Sequence, residues 1–512
     1  MLSKVNSGCV VGMDARPIDV EVDVSNGLPG FSVVGLPDTS IRESRDRIRA
    51  AIKNSGFTFP SGKITVNLSP ADTKKEGAGF DLPIAIGILA ATKIITQEKL
   101  EGLFLCGELS LNGRLKSFRG ALPMAMSLKE KYETFILPKN NAREAANVKE
   151  ITVYGATSLK TTVDHINGIT LLETVQIEEK SVSETVRRKR DTADFKDVKG
   201  QEFVKRGLEV AAAGGHNVLL LGPPGAGKSM LAKRFSTLLP DLSTEESLEV
   251  TNIYSIAGQL KSDGLIHERP VRNPHHTISY AAMAGGGSWP LPGEISLAHN
   301  GVLFLDEFPE FRRDVLETLR QPIESGEIVI ARTQHSVKYP SRFILIAAMN
   351  PCPCGYFTDP HKSCQCTSYQ IQRYLSKISG PLLDRIDIHL EVPRLNYAQL
   401  KGRRSGEESG IIRKRVIEAR NIQKERFKTK HSPLAQNSRM TAKETEAFCL
   451  LSNEAEELLK TAILELGISA RAYDKILKIS RTIADMERSE TIESYHLSEA
   501  VGYRCLDRNL WT

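Results

Sequence analysis

The sequence lacks any apolar run long enough to cross a membrane and any strong excess of charge of one sign. A membrane-spanning helix needs roughly 18–20 apolar residues, whereas the best stretch, residues 82–91, is soon followed by Lys93. The N-terminus shows no signal-peptide core or cleavage site, so we expect a cytoplasmic protein. The net charge of +6 arises from 68 basic and 62 acidic residues. So weak a basic excess permits a nucleic-acid partner without predicting one.

The chain also has too few cysteines for a disulfide framework. Eight cysteines among 512 residues, in a compartment that keeps thiols reduced, are not expected to form disulfides. Four of them cluster as Cys352, Cys354, Cys364 and Cys366. Four thiolates suit tetrahedral zinc, although the C-x-C spacing is tighter than that of the usual ligand pair. Two alternatives stay open, a structural zinc site and a cysteine-rich loop held by packing.

The length predicts about three domains, and the pattern of the sequence changes along the chain. Residues 1–175 mix short β-rich runs with helical stretches, which is typical of a mixed α/β domain. Residues 176–194 are charged and aperiodic, as in a linker, and their basic run 187–190 is either solvated or a nucleic-acid contact. In residues 195–393 apolar strands alternate with helices, which predicts a parallel sheet covered on both faces. Residues 397–512 contain amphipathic segments that predict a helical lid domain.

One segment fits a nucleotide-binding loop in full. The motif G-x-x-x-x-G-K-[ST] is matched between an apolar strand and a helix by Gly222, Pro223, Pro224, Gly225, Ala226, Gly227, Lys228 and Ser229. Its glycines let the backbone approach phosphates, and the loop amides and helix N-terminus supply partial positive charge. We expect Lys228 to reach the β- and γ-phosphates and the Ser229 hydroxyl to ligate Mg²⁺. The sequence therefore predicts ATP and Mg²⁺ as ligands.

Two further apolar strands end in polar residues that suit hydrolysis. The strand at residues 302–305 is followed by Asp306 and Glu307. Asp306 would join the Mg²⁺ shell and Glu307 would polarise the attacking water. The strand at residues 343–347 leads to Asn350, whose amide would orient that water as a sensor. The alternative for Asn350 is an asparagine that caps a turn.

Two arginines complete the predicted catalytic set. Arg385, within residues 381–387, suits a finger that stabilises charge on the γ-phosphate of a neighbouring subunit. Arg471 begins a helix in the C-terminal segment and would reach the phosphates from the lid. For both, an ordinary surface ion pair remains the alternative.

Several motifs follow one another in an order typical of one family. They are Val198-Lys-Gly-Gln201, Ala212-Ala-Gly-Gly-His-Asn217, the phosphate loop, Asn273-Pro-His-His-Thr277, Pro292-Gly-Glu-Ile-Ser-Leu-Ala-His299, Asn350-Pro-Cys-Pro-Cys-Gly355, Ser379-Gly-Pro-Leu-Leu-Asp-Arg-Ile-Asp387 and Ser469-Ala-Arg471. Across essentially the whole chain this series resembles the bacterial magnesium-chelatase-related AAA+ ATPases of the ComM (YifB) family. The resemblance implies the helix-2-insert branch of AAA+ proteins and a homohexameric ring. It also implies ATP-driven DNA branch migration as a helicase, in homologous recombination or natural transformation.

The resemblance also implies two elements that face the pore of the ring. The insert would lie within residues 252–299, and a hairpin would span Glu327 to Pro340 with Arg332 and Lys338 beside its turn. Basic residues in a pore suit contact with the phosphate backbone of DNA. The alternative is that these two side chains simply face solvent.

Two adjacent histidines, His275 and His276, fall within the insert. Neighbouring side chains in an extended stretch point in opposite directions, so such a pair rarely binds one metal ion. We expect a structural or pore-loop role for them.

The N-terminal segment resembles the Lon-type proteolytic domain, which has a ribosomal S5 domain 2-like fold. The match is strongest at residues 107–114 and continues at residues 136–140. Lon-type enzymes use a serine nucleophile activated by a lysine. The corresponding positions here are Gly79 and Leu122, so no proteolysis is expected. The domain would serve as a structural layer of the ring or as a guide for DNA.

Two rival functions from other classes stay open. One is a motor subunit that drives insertion of Mg²⁺ into a porphyrin, as in magnesium chelatase. The other is an ATP-dependent protease or protein remodeller, which Gly79 and Leu122 disfavour. Stimulation of ATP hydrolysis by single-stranded or branched DNA would favour the DNA motor over the chelatase, and degradation of casein by the pure protein would revive the protease.

Overall fold

A computed structural model provides the structure of the chain. It describes residues 1–72, 75, 77–176, 194–260, 264–287, 290–331, 336–357, 359, 362–395, 406–429, 436–504 and 506. The predicted linker, apart from its two end residues, and the candidate DNA residue Arg332 lie outside the described residues. The chain forms two compact units, of which the first comprises Met1–Ser181, Thr244–Ile266 and Ala331–Tyr339 and the second comprises Val182–Ser243, His267–Ile330 and Pro340–Thr512.

The first unit is built on a mixed seven-stranded sheet. Its strands are β1 (Leu2–Val11), β2 (Asp14–Ser25), β3 (Gly30–Val34), β4 (Lys63–Ser69), β5 (Leu103–Leu105), β8 (Thr134–Pro138) and β9 (Thr152–Ala156), and the short strands β6 (Glu108–Leu109) and β7 (Leu115–Lys116) form a separate pair. The order across the sheet is β3-β4-β2-β1-β5-β8-β9. The β1–β2 and β2–β4 pairs are antiparallel and the other pairs are parallel.

Helices cover this sheet and supply most of the remaining core of the first unit. They span Thr39–Asn54, Asp81–Ala91, Ala121–Leu128, Lys139–Ala145, Leu159–Asn167 and Thr244–Ala257, with short 3₁₀ turns at Ala78–Phe80 and Gln97–Leu100. The most apolar stretch of the sequence forms the helix Asp81–Ala91, which is buried at all but one of its positions. A helix that is apolar on every side belongs in a core. Among the described residues, no helix combines the length and the apolar character that a bilayer crossing requires.

The second unit contains the predicted parallel sheet. Its strands are β10 (Val218–Leu221), β11 (Val271–Arg272), β14 (Val302–Leu305), β17 (Ile344–Met349) and β18 (Ile388–Glu391). They are ordered β11-β14-β17-β10-β18, and every neighbouring pair is parallel. The strands β12 (Gly285–Gly286) and β13 (Leu291–Pro292) of this unit form a two-stranded sheet. The chain also contains the strands β15 (Glu327–Ala331) and β16 (Ser336–Pro340). Because parallel strands end at one edge, the residues that follow β10, β14 and β17 are brought together there.

The helices of the second unit pack on the sheet and continue into a C-terminal bundle. They span Glu202–Gly214, Lys228–Phe235, Tyr280–Ala284, Glu294–Leu297, Arg313–Glu317, Arg320–Ser325, Ser368–Leu375, Gly380–Leu383, Ser409–Thr429, Ala442–Phe448, Asn453–Leu466, Ala470–Met486 and Ser494–Gly502, with 3₁₀ turns at Phe195–Asp197, Ser236–Leu238, Phe308–Glu310 and Asn437–Arg439. Ile476 and Ile483 of the bundle share one hydrophobic core with Val218 and Leu390 of the sheet. The predicted mixed α/β fold with a parallel-sheet core and C-terminal helices is therefore confirmed.

Candidate nucleotide-binding site

The phosphate loop joins strand β10 to the helix Lys228–Phe235. Gly225 and Gly227 adopt φ angles of +77° and +92°, a left-handed conformation that favours glycine. A Cβ atom at Gly222 would lie 2.2 Å from the carbonyl oxygen of Val392. The loop therefore needs glycine at each of these positions to keep its path.

Lys228 lies buried at the start of this helix. Its Nζ donates to the carbonyl oxygens of Gly222 (2.6 Å) and Pro223 (3.0 Å) and to Oδ1 of Asn350 (3.0 Å). Burial lowers the pKa of Lys228 to about 8, because a low-dielectric environment disfavours the ammonium form. Lys228 comes after β10 and the predicted sensor residue Asn350 comes after β17, the strand next to β10. The two side chains are thus in direct contact.

The two predicted Mg²⁺ ligands also meet. The Ser229 hydroxyl donates to Oδ2 of Asp306 at 2.6 Å, although 77 residues separate them. Oδ1 of Asp306 accepts from the backbone N–H of Glu307 at 3.0 Å, which fixes the carboxylate. A hydroxyl and a carboxylate are hard oxygen donors of the kind that Mg²⁺ prefers. The donor set therefore fits this ion.

Glu307 lies two residues beyond the end of β14. Its φ of +53° is unusual for a residue with a side chain, and its side chain is 60% exposed. Its Oε2 lies 3.0 Å from Nδ1 of His276. Sequence reasoning did not foresee this contact, since only the fold brings the two segments together.

Arg385 contacts residues of its own chain. Its guanidinium donates to the carbonyl oxygen of Pro381 (2.6 Å) and pairs with Oε1 of Glu324 (2.6 Å). The side chain is 14% exposed. An interaction with a neighbouring subunit would require the pair with Glu324 to open.

Arg471 lies in the first turn of the helix Ala470–Met486. Ser469 caps that helix by accepting from the N–H of Ala472. The Arg471 guanidinium pairs with Oδ2 of Asp384 at 3.6 Å, and both side chains are substantially exposed. The structure thus places Arg471 beside the residue that precedes Arg385.

A buried carboxylate, Asp387, connects three parts of the second unit. Its Oδ2 accepts from the backbone N–H of Asn217 at 2.9 Å, just before β10, and its Oδ1 contacts Nζ of Lys475 in the C-terminal bundle. Burial alone would raise the pKa of Asp387, but Lys475 and His216 hold it well below its ordinary value. Asn217 and Asp387 both belong to motifs that were noted in the sequence, but the motifs did not predict that the two residues would be in contact.

A second such connection runs through Gln201. Its side-chain amide donates to the carbonyl oxygens of Ala226 (2.8 Å) and Pro393 (3.0 Å). The residue links the phosphate loop to the segment that follows β18. The only feature of the sequence that pointed to Gln201 was its place in the motif Val198-Lys-Gly-Gln201.

The other candidate residues lie outside the nucleotide site. Lys338 is exposed on β16, between the buried Val337 and Tyr339. In the first unit, Leu122 is buried, and a Cβ atom at Gly79 would lie 2.9 Å from Sγ of Cys106. These two positions therefore hold no nucleophile or base.

The four clustered cysteines converge. Their sulfur atoms all lie within 4.8 Å of one another. The Cys352–Cys354, Cys352–Cys364 and Cys354–Cys364 sulfur pairs are separated by 3.3, 3.6 and 3.5 Å. Both members of each C-x-C pair therefore face the cluster.

Comparison with known proteins gives a consistent result along the chain. The family described as "Magnesium chelatase, subunit ChlI" matches residues 194–400. "Subunit ChlI of Mg-chelatase" matches residues 20–141, and "Magnesium chelatase, subunit ChlI C-terminal" matches residues 406–504.

Individual relatives match over different lengths. An uncharacterized protein YifB of Escherichia coli is 46% identical over 510 residues, covering 99% of this chain and 98% of that protein. The competence protein ComM of Haemophilus influenzae is 43% identical over 512 residues, with 99% and 98% covered. The magnesium-chelatase 38 kDa subunit of Rhodobacter capsulatus is 28% identical over 179 residues, which are 32% of this chain and 51% of that protein.

Proposed function

The chain belongs to the magnesium-chelatase-related ComM (YifB) family of AAA+ ATPases, and from this premise we propose that it couples ATP hydrolysis to the remodelling of DNA. The motor would be a ring-shaped homohexamer that drives branch migration as a helicase, in homologous recombination or natural transformation. The name of the Haemophilus relative, a competence protein, supports a role with incoming DNA.

The contact between Ser229 and Asp306 carries the ATPase proposal. It places two oxygen donors for Mg²⁺ beside the phosphate loop. Lys228 would turn from its carbonyl partners to the β- and γ-phosphates. Bound Mg²⁺ would supply neutralisation of the phosphate charge. Glu307 would accept a proton from the attacking water, which Asn350 would orient.

Arg385 and Arg471 would act on the γ-phosphate charge from outside the phosphate loop. We propose that Arg385 leaves Glu324 to reach the nucleotide of the next subunit. Arg471 would move with the C-terminal bundle, and its pair with Asp384 connects it to the segment of Arg385. Neighbouring arginines of this kind contribute about 10³–10⁵ in rate in other phosphoryl-transfer enzymes.

DNA contact is proposed for Lys338 and Arg332. The exposure of Lys338 on β16 supports this role, because phosphate contacts need accessible cations. The first unit would form a ring layer or DNA guide without protease activity, which the absence of a nucleophile at Gly79 and of a base at Leu122 supports.

Zn²⁺ is proposed as a structural ligand of Cys352, Cys354, Cys364 and Cys366. Tetrahedral zinc with Zn–S bonds of about 2.3 Å would separate its sulfurs by about 3.8 Å, close to the three sulfur–sulfur distances given above. Backbone N–H groups of Gly355 and Cys366 donate to cluster sulfurs at 3.2 and 3.4 Å, as outer-shell groups do at metal sites.

Metal analysis of protein purified without chelators tests the zinc proposal. We expect about one zinc per chain, lost on the double substitution Cys364→Ser and Cys366→Ser. Cys449→Ala, outside the cluster, should retain the metal. A folded, active wild type that contains no zinc would contradict the proposal.

The principal experiment measures ATP hydrolysis with and without forked DNA, beside the mass of the assembled particle. Stimulation by DNA together with a six-chain particle is the expected result. Glu307→Gln should bind nucleotide but lose about 10²–10⁴ in turnover, and parental turnover in this variant would remove Glu307 from the mechanism.

Magnesium chelatase remains the second candidate because its 38 kDa subunit matches part of the chain. That match covers 32% of the chain, whereas the ComM match covers essentially all of it. Hydrolysis that is indifferent to DNA but responds to a porphyrin-binding partner would favour this candidate.

A further inference from the structure

The helix Thr39–Asn54 of the first unit has four of its basic residues on one face. Arg42, Arg45, Arg49 and Lys53 follow one another along it at intervals of three or four residues. Side chains at these intervals lie on the same face of a helix, and all four are exposed. These four residues, the basic stripe, run for about 16 Å along the helix.

The fifth basic residue of this helix, Arg47, has a structural role. Its Nε and Nη2 donate to the two carboxylate oxygens of the buried Asp81, at 3.0 and 3.2 Å. In the basic stripe, the Arg49 guanidinium lies over the ring of Phe59 at 5.7 Å. Within the described part of the chain, the other three side chains of the stripe make no ion pair or hydrogen bond. These three charges therefore do not hold the first unit together.

The basic stripe carries an electrostatic cost in the free chain. Its neighbouring members are like charges, and like charges four residues apart destabilise a helix. Arg42 also lies near the helix N-terminus, whose partial positive charge disfavours cations. The two acids of the helix, Glu43 and Asp46, offset only part of its five positive charges. A bound anion would relieve this repulsion, so the stripe suits an anionic ligand.

The helix supports these charges rigidly. Another of its faces is buried at five positions, and Asp38 caps its N-terminus by accepting from the backbone N–H of Ile41 at 2.8 Å. At the other end, the side-chain amide of Asn54 donates to the carbonyl oxygen of Leu111 at 2.7 Å. Arg114 is exposed on the same loop as Leu111. A further cation therefore lies on the loop that is bonded to the helix end.

We propose that the basic stripe binds the phosphate backbone of single-stranded DNA. A polynucleotide presents negative charges in a row, and each phosphate that a cation neutralises releases its counterions. Guanidinium groups can also bind two phosphate oxygens at once. A row of cations over several helical turns fits an extended anion better than a small one. This inference rests on the proposed function and names the surface by which the first unit guides DNA.

The test measures the affinity of the full chain for a fluorescent single-stranded oligonucleotide at about 50–200 mM salt. The stripe variant combines Arg42→Gln, Arg45→Gln and Lys53→Gln, while Arg49 stays because it packs on Phe59. We expect the affinity to fall about tenfold at about 100 mM salt. The slope of log affinity against log salt should become shallower by about two, since each phosphate contact on a single strand contributes about 0.7.

Two further variants separate the position of the charges from their number. The control variant combines Lys93→Gln, Lys131→Gln and Lys139→Gln, at three exposed positions elsewhere on the first unit. It loses the same charge as the stripe variant and should keep the parental salt slope. Arg42→Lys combined with Arg45→Lys keeps the charge of the stripe and should retain most of the affinity, because binding to the phosphate backbone is largely electrostatic. Circular dichroism and the particle mass check that each variant is folded and assembled.

The outcomes distinguish this inference from the proposed function. Equal salt slopes in the parental protein and the stripe variant, with DNA binding intact, would overturn the inference and leave the proposed function standing. A smaller particle in the stripe variant, but not in the control, would show that the stripe contacts another copy of the chain instead of DNA. A parental protein that binds no DNA would reject the inference and the proposed function together.

Discussion

At the scale of single residues, the environment of Lys228 affects its chemistry as much as its place in the motif. Three oxygen acceptors surround its ammonium group, and burial lowers its pKa to about 8. Unfolded lysine has a pKa of about 10.4. Between these values the folded chain binds fewer protons than the unfolded chain, so this group makes folding more favourable as the pH rises through that window.

The same shift predicts that nucleotide binding takes up protons. The negative charge of a triphosphate would raise the pKa of Lys228, so a lysine that is partly neutral above about pH 8 must regain its proton on binding. ATP affinity should therefore fall as the pH rises from about 8 to 10. Calorimetry at about pH 8.5, in two buffers of different ionisation enthalpy, would measure the uptake.

A matched titration at about pH 7 serves as the control, because Lys228 is then almost fully charged before ATP binds. Proton uptake should be much smaller there. Equal heats in both buffers at the higher pH would show that the lysine is charged in the free protein and would contradict the prediction.

The residue types of the nucleotide site could be predicted because a linear motif specifies them, but their partners could not. Ser229 and Asp306 were expected to share an ion, and the structure brings them together. The contacts of Glu307 with His276 and of Arg385 with Glu324 come from segments that no periodicity connects. Such pairs depend on tertiary approach.

At the scale of elements, continuous apolar runs in the sequence predicted the positions of two strands accurately. The predicted strands at residues 218–221 and 302–305 are observed as Val218–Leu221 and Val302–Leu305. The strand Val271–Arg272 was not predicted. It has two residues, neither of which is buried, and it exists through its parallel pairing with β14. A strand so short leaves no periodic signal in the sequence.

The link between Asp387 and Lys475 predicts how the C-terminal bundle stays attached to the sheet. Lys475→Met would leave Asp387 buried without its ammonium partner, which typically costs about 3–5 kcal/mol. We expect a loss of that order in the free energy of unfolding of the second unit. Chemical denaturation, followed by a probe in the C-terminal bundle, would measure it.

The exposed pair of Lys460 with Glu456 provides a matched control. Lys460→Met removes a lysine from another helix of the same bundle, where solvent replaces the lost contact, and should leave stability unchanged. Equal effects of the two substitutions would mean that Asp387 finds other compensation and that the link does not secure the bundle.

The same pair has a defined dependence on pH. The pKa of Asp387 is lower in the folded chain than its ordinary value of about 3.9. Its contribution to stability is therefore present above that value and is lost as the pH falls toward the folded pKa. In Lys475→Met the cation that lowers this pKa is gone, so the stability lost on acidification below the unfolded pKa should be smaller than in the parental protein.

At the scale of the whole molecule, the proposed ring explains why Arg385 does not contact the other predicted catalytic residues of its own chain. Lys228, Ser229, Asp306 and Asn350 are joined by direct hydrogen bonds within one chain. Arg385 instead pairs with Glu324. An arginine that acts on the nucleotide of another subunit needs an ion-pair partner in its own chain until that subunit is in place. When the arginine leaves, water can solvate the carboxylate of Glu324, whose side chain is 57% exposed.

If Arg385 acts on the nucleotide of the neighbouring subunit, two variants that are inactive alone should regain ATP turnover when they are mixed in one ring. Rings of Lys228→Ala alone should lack nucleotide binding, and rings of Arg385→Ala alone should lack the finger. In rings assembled from an equal mixture, a site that takes Lys228 from one chain and Arg385 from its neighbour is complete. Random assembly makes about a quarter of the sites complete, so ATP turnover should recover to a fraction of that order.

Mixing two preparations of the same variant is the control for changes in concentration and assembly. Turnover in the mixed rings that stays at the level of the separate variants would mean that Arg385 serves its own chain or none. The pair between Arg385 and Glu324 must open before Arg385 can reach the nucleotide of a neighbouring subunit, so Glu324→Gln should favour the released arginine. In this variant the contact with the neighbouring phosphate no longer has to offset the loss of an intrachain ion pair. Glu324→Gln should therefore reach the parental turnover at a lower protein concentration.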